Sequence, residues 1–107
     1  MKNLREPTKG PYVTMAAAGT TQADAAAMPA DFVMVTSGSE DNGVLLPLMN
    51  VNEEAIVCNG LTVNIKVYPR SGGKINNATV DVALLLSANA AAHFRATDGG
   101  GNVVAFF

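Results

Sequence analysis

Residues Glu54-Ala55-Ile56-Val57-Cys58-Asn59-Gly60-Leu61-Thr62-Val63-Asn64-Ile65-Lys66-Val67-Tyr68 decide the fold class. From Leu61 to Tyr68 the apolar residues Leu61, Val63, Ile65 and Val67 alternate with Thr62, Asn64, Lys66 and Tyr68. Successive side chains of an extended chain point to opposite sides, so this period of two marks a strand with one buried face. Ala55–Cys58 reads as a second strand. Asn59-Gly60 between them readily takes positive φ, which predicts that the two strands fold back on each other as a hairpin.

Before this stretch, Tyr12-Val13-Thr14-Met15 and Phe32–Thr36 have the β-branched and aromatic content of strands, and Val44–Leu48 reads as another. Pro47 has no N–H to give a ladder, so that strand is expected at an edge or a bulge. The alanine-rich stretch 16–29 reads as an irregular or extended connection, because a helix this short is marginal in water. Downstream, Val80–Leu86, Ala91–Thr97 and Asn102–Phe107 follow as strands, with glycine-rich turns at 69–73 and 98–101. In Ala91–Thr97 the residues Ala92, Phe94 and Ala96 share one face, and His93, Arg95 and Thr97 the other. About eight short strands separated by turns predict an all-β chain. The expected form is a small antiparallel β-sandwich or barrel over residues 16–107, with residues 1–15 as an extended N-terminal arm that carries a short strand.

The chain has 107 residues, enough for one domain with a modest core. Its hydrophobic content is 49% and its charged content 15%, against about 25% charged in ordinary soluble domains. Such a chain lacks the polar surface to cover itself, and burial against other copies is the remedy. The strands at 82–86 and 103–107 are apolar on both faces, which makes Leu84, Leu86, Val104, Phe106 and Phe107 the candidate subunit-interface residues. A net charge of -2 without a clustered basic face argues against nucleic acid as a partner. The N-terminal residues lack the apolar run of a signal peptide, and no stretch approaches the roughly 20 apolar residues that span a bilayer. The expectation is a soluble protein made in the cytosol, with no membrane partner.

Chemistry-bearing residues are sparse. Cys58 is the single cysteine, so an intrachain disulfide is impossible, and its place in an apolar strand reads as a small buried hydrophobe. The single histidine, His93, finds no carboxylate on its own strand face and reads as a surface or interface residue. No serine lies in a Gly-x-Ser-x-Gly elbow. Arg70-Ser71-Gly72-Gly73-Lys74-Ile75 places glycines before a lysine, but a phosphate loop needs Ser or Thr after the lysine and then a helix. Asp98-Gly99-Gly100-Gly101-Asn102 lacks the alternating acidic ligands of a calcium loop, and the acidic clusters at 39–42 and 53–54 read as solvated turns. The residues predict no catalytic set, no metal and no cofactor.

The order Thr20-Thr21-Gln22-Ala23-Asp24-Ala25, Phe32–Thr36, Gly43-Val44-Leu45-Leu46-Pro47, Ile56–Asn59 and Val67-Tyr68-Pro69, followed by Gly72-Gly73-Lys74-Ile75-Asn76, resembles a recurring module of tailed-bacteriophage virion proteins. Those modules look like capsid decoration (cement) proteins and the tips of head or tail fibres, and the similarity covers about residues 19–107. Two departures stand out: Asn50–Glu54 replaces a glycine-lysine turn, and Val103–Phe107 replaces a tryptophan-containing strand. The resemblance implies a non-enzymatic homotrimer that binds the major capsid protein on the exterior of the virion capsid and stabilises the shell. The alternative it implies is a fibre, baseplate or host-adhesion module. Within the cement reading, Lys2, Arg5, Lys9, Tyr12 and Val13 of the arm are the candidate capsid-binding residues, since a segment that orders on binding can wrap a neighbouring surface.

Overall fold

The computed structural model describes residues 12–107; the arm residues Lys2, Arg5 and Lys9 lie outside the described residues. Strands follow one another as β1 (Val13–Ala16), β2 (Ala26–Ala27), β3 (Phe32–Ser37), β4 (Gly43–Leu45), β5 (Glu54–Asn59), β6 (Ile65–Tyr68), β7 (Leu84–Leu86), β8 (Ala91–Ala96) and β9 (Val103–Phe106). Among the described residues there is no helix. The alanine-rich stretch holds β2 and a turn in which the Asp24 carboxylate accepts the N–H groups of Thr20 and Thr21.

The strands form two sheets, a five-stranded one in the order β1-β3-β5-β8-β9 and a four-stranded one in the order β2-β4-β6-β7. From β1 to β6 the chain changes sheet at every step, so each sheet receives alternate strands running in the same direction. β1, β3 and β5 are parallel in one sheet, and β2, β4 and β6 are parallel in the other. Antiparallel pairing is confined to β5–β8, β8–β9 and β6–β7. The antiparallel architecture expected from the sequence is therefore corrected to two mixed sheets. Parallel neighbours need a crossover connection, and here the crossover is itself a strand of the opposite sheet.

This winding also overturns the hairpin at Asn59-Gly60. β5 and β6 belong to different sheets. A tight hairpin turn requires positive φ at its central residues. Among the described residues positive φ occurs at Asp41, Asn52, Asn76, Asp81 and Asn89 and at four glycines, and neither Asn59 nor Gly60 is one of them. Asn59 is instead buried where the chain passes between sheets. Its Nδ2 donates to the carbonyls of Val63, Leu86 and Ser87, and its Oδ1 accepts the N–H of Leu61. Residues 61–64 are consumed by this crossing, so only Ile65–Tyr68 of the alternating stretch is strand.

Side chains from both sheets meet in one core: Val33, Val35, Val57 and Phe94 from the five-stranded sheet, and Val44, Ile65, Val67 and Leu86 from the four-stranded one. β4 ends at Leu45, leaving Pro47 beyond the ladder it could not have joined. Tyr68 closes over the outer side of β4 and donates its hydroxyl hydrogen to the Thr20 carbonyl at 3.0 Å. A Cβ on Gly43 would lie 2.9 Å from the Tyr68 ring, so glycine is what lets the ring settle there.

Candidate functional site

In the five-stranded sheet the residues between the core-facing positions form an outer face, and its register brings one apolar row together. Phe32 on β3 is the cross-strand neighbour of Ile56 on β5, Ile56 of His93 on β8, and His93 of Phe106 on β9. Tyr12 extends the row, its ring tilted against that of Phe32 at 5.9 Å, and the His93 and Phe106 rings are 5.8 Å apart. A second row carries Thr14, Met34, Cys58 and Ala91. On the other side of the aromatic row lie Glu54, Arg95 and Val104. Phe106 is 56% exposed and Tyr12 52%. The core-facing alternation of β5 and β8 thus turns Glu54, Ile56, Cys58, Ala91, His93 and Arg95 to the outer side, Ile56 being the large apolar one among them.

The polar groups of this face are few and placed by pairing across strands. His93 Nε2 lies 2.8 Å from Glu54 Oε1. A carboxylate offers only acceptors, so Nε2 is the nitrogen that carries the hydrogen. The expectation that His93 has no carboxylate is corrected: its own strand supplies none, but β5 does. Arg95 reaches the Asn52 side-chain oxygen at 3.4 Å, a long contact, and among the described residues it makes no ion pair. Cys58 is half-buried on this outer face and not in the core. Burial pushes its thiol above the ordinary 9.0, which keeps it protonated and a poor nucleophile at neutral pH.

Two further features carry clustered polar groups. An open cleft of about 280 Å³ lies where β3 and β5 begin, lined by Asp31, Met49, Asn52, Glu53 and Glu54 among others. Among the described residues no three His, Cys, Asp or Glu side chains converge in a way that could hold a metal ion. The turn at 98–102 is closed by its own acid, with Asp98 accepting from the Gly100 N–H and from the Asn102 amide. These bonds, the Asn102 amide foremost, hold the Asp98 carboxyl below its ordinary 3.8. Asp24 is lowered in the same way by the backbone and hydroxyl of Thr21.

The candidate residues from the sequence divide. Val13 is exposed at the start of β1 and Tyr12 just before it, and Tyr12 joins the aromatic row. Phe106 and Val104 lie on the outer face, and Phe107 is exposed just beyond β9. Leu84 faces inward against the core, and Leu86 is fully buried within it, so Leu86 is withdrawn as an interface residue. Leu85 is the residue of β7 that faces out. Sequence reasoning passed over Phe32, Ile56 and Met34. Residues 32–35 and 55–57 are apolar at every position, so the sequence does not say which side faces out, and only the strand order makes these residues one surface.

No family model matches the chain, and neither a curated protein nor a solved structure is found similar to it.

Proposed function

We propose that this chain is a structural subunit of a tailed-bacteriophage virion: a capsid decoration protein that binds the major capsid protein on the outer shell as a homotrimer and braces it. The reading takes the two sheets as a β-sandwich whose work is adhesion. The observation that carries it is the row Tyr12, Phe32, Ile56, His93 and Phe106, which crosses β3, β5, β8 and β9 with its middle half-buried and its two end rings exposed. Monomeric proteins rarely expose contiguous apolar patches beyond a few hundred Å² without a partner for them. The charged content of 15% supports the same conclusion, and so does the resemblance of residues 19–107 to phage virion modules. In a lattice of many copies, contacts of ordinary size suffice because valency multiplies them.

The test is to mix the purified chain with undecorated capsids of the phage that encodes it and to image them. Extra density at regularly repeating sites on the outer surface is the expected result. Bare capsids at saturating protein would refute the cement role. A variant lacking residues 2–11 should keep its fold and lose decoration, because Lys2, Arg5 and Lys9 go with that segment.

A further inference from the structure

Three apolar surfaces are open in the described residues. Val80, Val82 and Leu85 lie on or just before β7, Leu48 and Val51 lie in the loop between β4 and β5, and the aromatic row crosses the outer face of the five-stranded sheet. Only the last is continuous in register from strand to strand.

We propose that copies of this chain pack against one another through the outer face of the five-stranded sheet, the aromatic row of one copy covered by that of the next and Arg95 of one copy paired with Glu54 of its neighbour. The proposal deepens the reading above and rests on its claim that the chain self-associates. It replaces the strand-by-strand list of interface residues with one surface, from which Leu84 and Leu86 are absent.

Several observations select a second copy as the occupant. The face carries both signs of charge side by side, since Glu54 and Arg95 are cross-strand neighbours on β5 and β8. A surface with acid and base adjacent is complementary to itself, whereas a partner of one dominant sign would leave one of them opposed. Among the described residues the one side-chain hydrogen bond of Arg95 is the long 3.4 Å approach to Asn52, which leaves its guanidinium loosely held. With an aromatic side chain carrying about 200 Å², the exposed parts of Tyr12 and Phe106 alone supply roughly 200 Å² of apolar surface. A standard interface takes about 800 Å² from each partner, so these two rings with the half-buried Phe32, Met34, Ile56 and His93 make its centre, and Thr14, Thr36 and Arg95 its rim. Edge-to-edge association at β9 is closed off: the Val103 N–H donates to the Lys74 carbonyl, and the Ala105 N–H to Asn76 Oδ1. With that edge capped, face packing is the route by which β9 brings Phe106 to another copy.

The experiment is light scattering on the eluting protein at about 100 µM, where even a micromolar complex is formed. The wild-type chain, Ile56→Lys, Arg95→Glu, the double variant Glu54→Arg with Arg95→Glu, and Leu85→Ser are compared, with circular dichroism to show that each is folded. The wild type and Leu85→Ser should be multimeric, Ile56→Lys monomeric, and Arg95→Glu at least tenfold weaker in association. The double variant should regain most of that loss, because reversing both charges restores the pairing between copies. If Ile56→Lys and Arg95→Glu assemble like the wild type while Leu85→Ser dissociates, the surface lies at β7 and this proposal fails while self-association stands. If the wild type is monomeric, self-association fails and this proposal with it. Capsid binding, scored separately by imaging, distinguishes that outcome from loss of the cement role.

Discussion

Replacing Asn59 by alanine tests the central feature of the chain path. The side chain makes four hydrogen bonds of 2.9 to 3.1 Å that join the end of β5 to the stretch entering β6 and to the end of β7. Alanine leaves the carbonyls of Val63, Leu86 and Ser87 and the N–H of Leu61 without that partner. An orphaned buried polar group costs about 1–3 kcal/mol, and a partly exposed one less because water can reach it. The Leu86 bond is buried and the other three are partly so. Counting the buried one in full and the rest in part gives a loss of about 3–4 kcal/mol. At roughly 4–8 °C per kcal/mol for a chain near this size, the thermal midpoint should fall by about 12–32 °C. Urea and thermal unfolding followed by far-ultraviolet circular dichroism measure both quantities. Asn59→Asp should be worse than alanine, since an ionised carboxylate faces the same carbonyls with nothing to donate. In a solvent-exposed hairpin turn either change would cost about 0.5 kcal/mol or less, and a loss that small would refute the crossing geometry.

Two more outcomes follow from turns. A Cβ on Gly73 would sit 2.1 Å from the Gly101 carbonyl oxygen, backbone against backbone, whereas Gly72, at φ +87°, has open space around it. Gly73→Ala should therefore cost clearly more than Gly72→Ala, whose left-handed strain is about 1–2 kcal/mol; equal losses in urea unfolding would contradict the packing of the 70–73 and 98–101 loops. Asp24 and Asp98 both titrate below their ordinary 3.8 in the folded chain, so the unfolded chain binds more protons over that window and stability rises with pH through it. Their contribution is present above 3.8 and disappears as pH falls through the lower folded values. Asp24→Asn combined with Asp98→Asn should flatten the acid limb of a stability-against-pH curve, and an unchanged limb would count against these hydrogen bonds.

Strand content was legible because alternation is local. Ala91–Thr97 shows its buried and exposed faces within seven residues, and the structure places a strand there with those faces; Phe32–Thr36 and Ala55–Cys58 were legible as strands from their composition, and the structure places strands there too. β2 was not legible, because two alanines carry no alternation, and their strand exists only through pairing with Val44 and Leu45. The Asn59-Gly60 signal misled for a physical reason. The dipeptide permits a hairpin turn, but the apolar faces of β5 and β6 are buried against each other's sheets, and a hairpin would have laid both strands in one sheet.

The site divides in the same way. Exposed Phe106 and Phe107 and the low charge were visible as residues. That Phe106 stands beside His93, that Glu54 reaches His93 from another strand, and that Phe32 and Ile56 complete the row depend on which strands are neighbours.

The amino-acid order alone settled that this polypeptide is β throughout, short of charge and poor in reactive groups, because those properties reside in single residues and in spacings of two. The folded molecule decided direction and adjacency: parallel winding between two sheets, Leu86 inward, and an aromatic stripe across the outer face. Pairing between strands far apart in sequence is governed by how their apolar faces can all be buried at once, and that condition is written over the whole chain and not in any one segment.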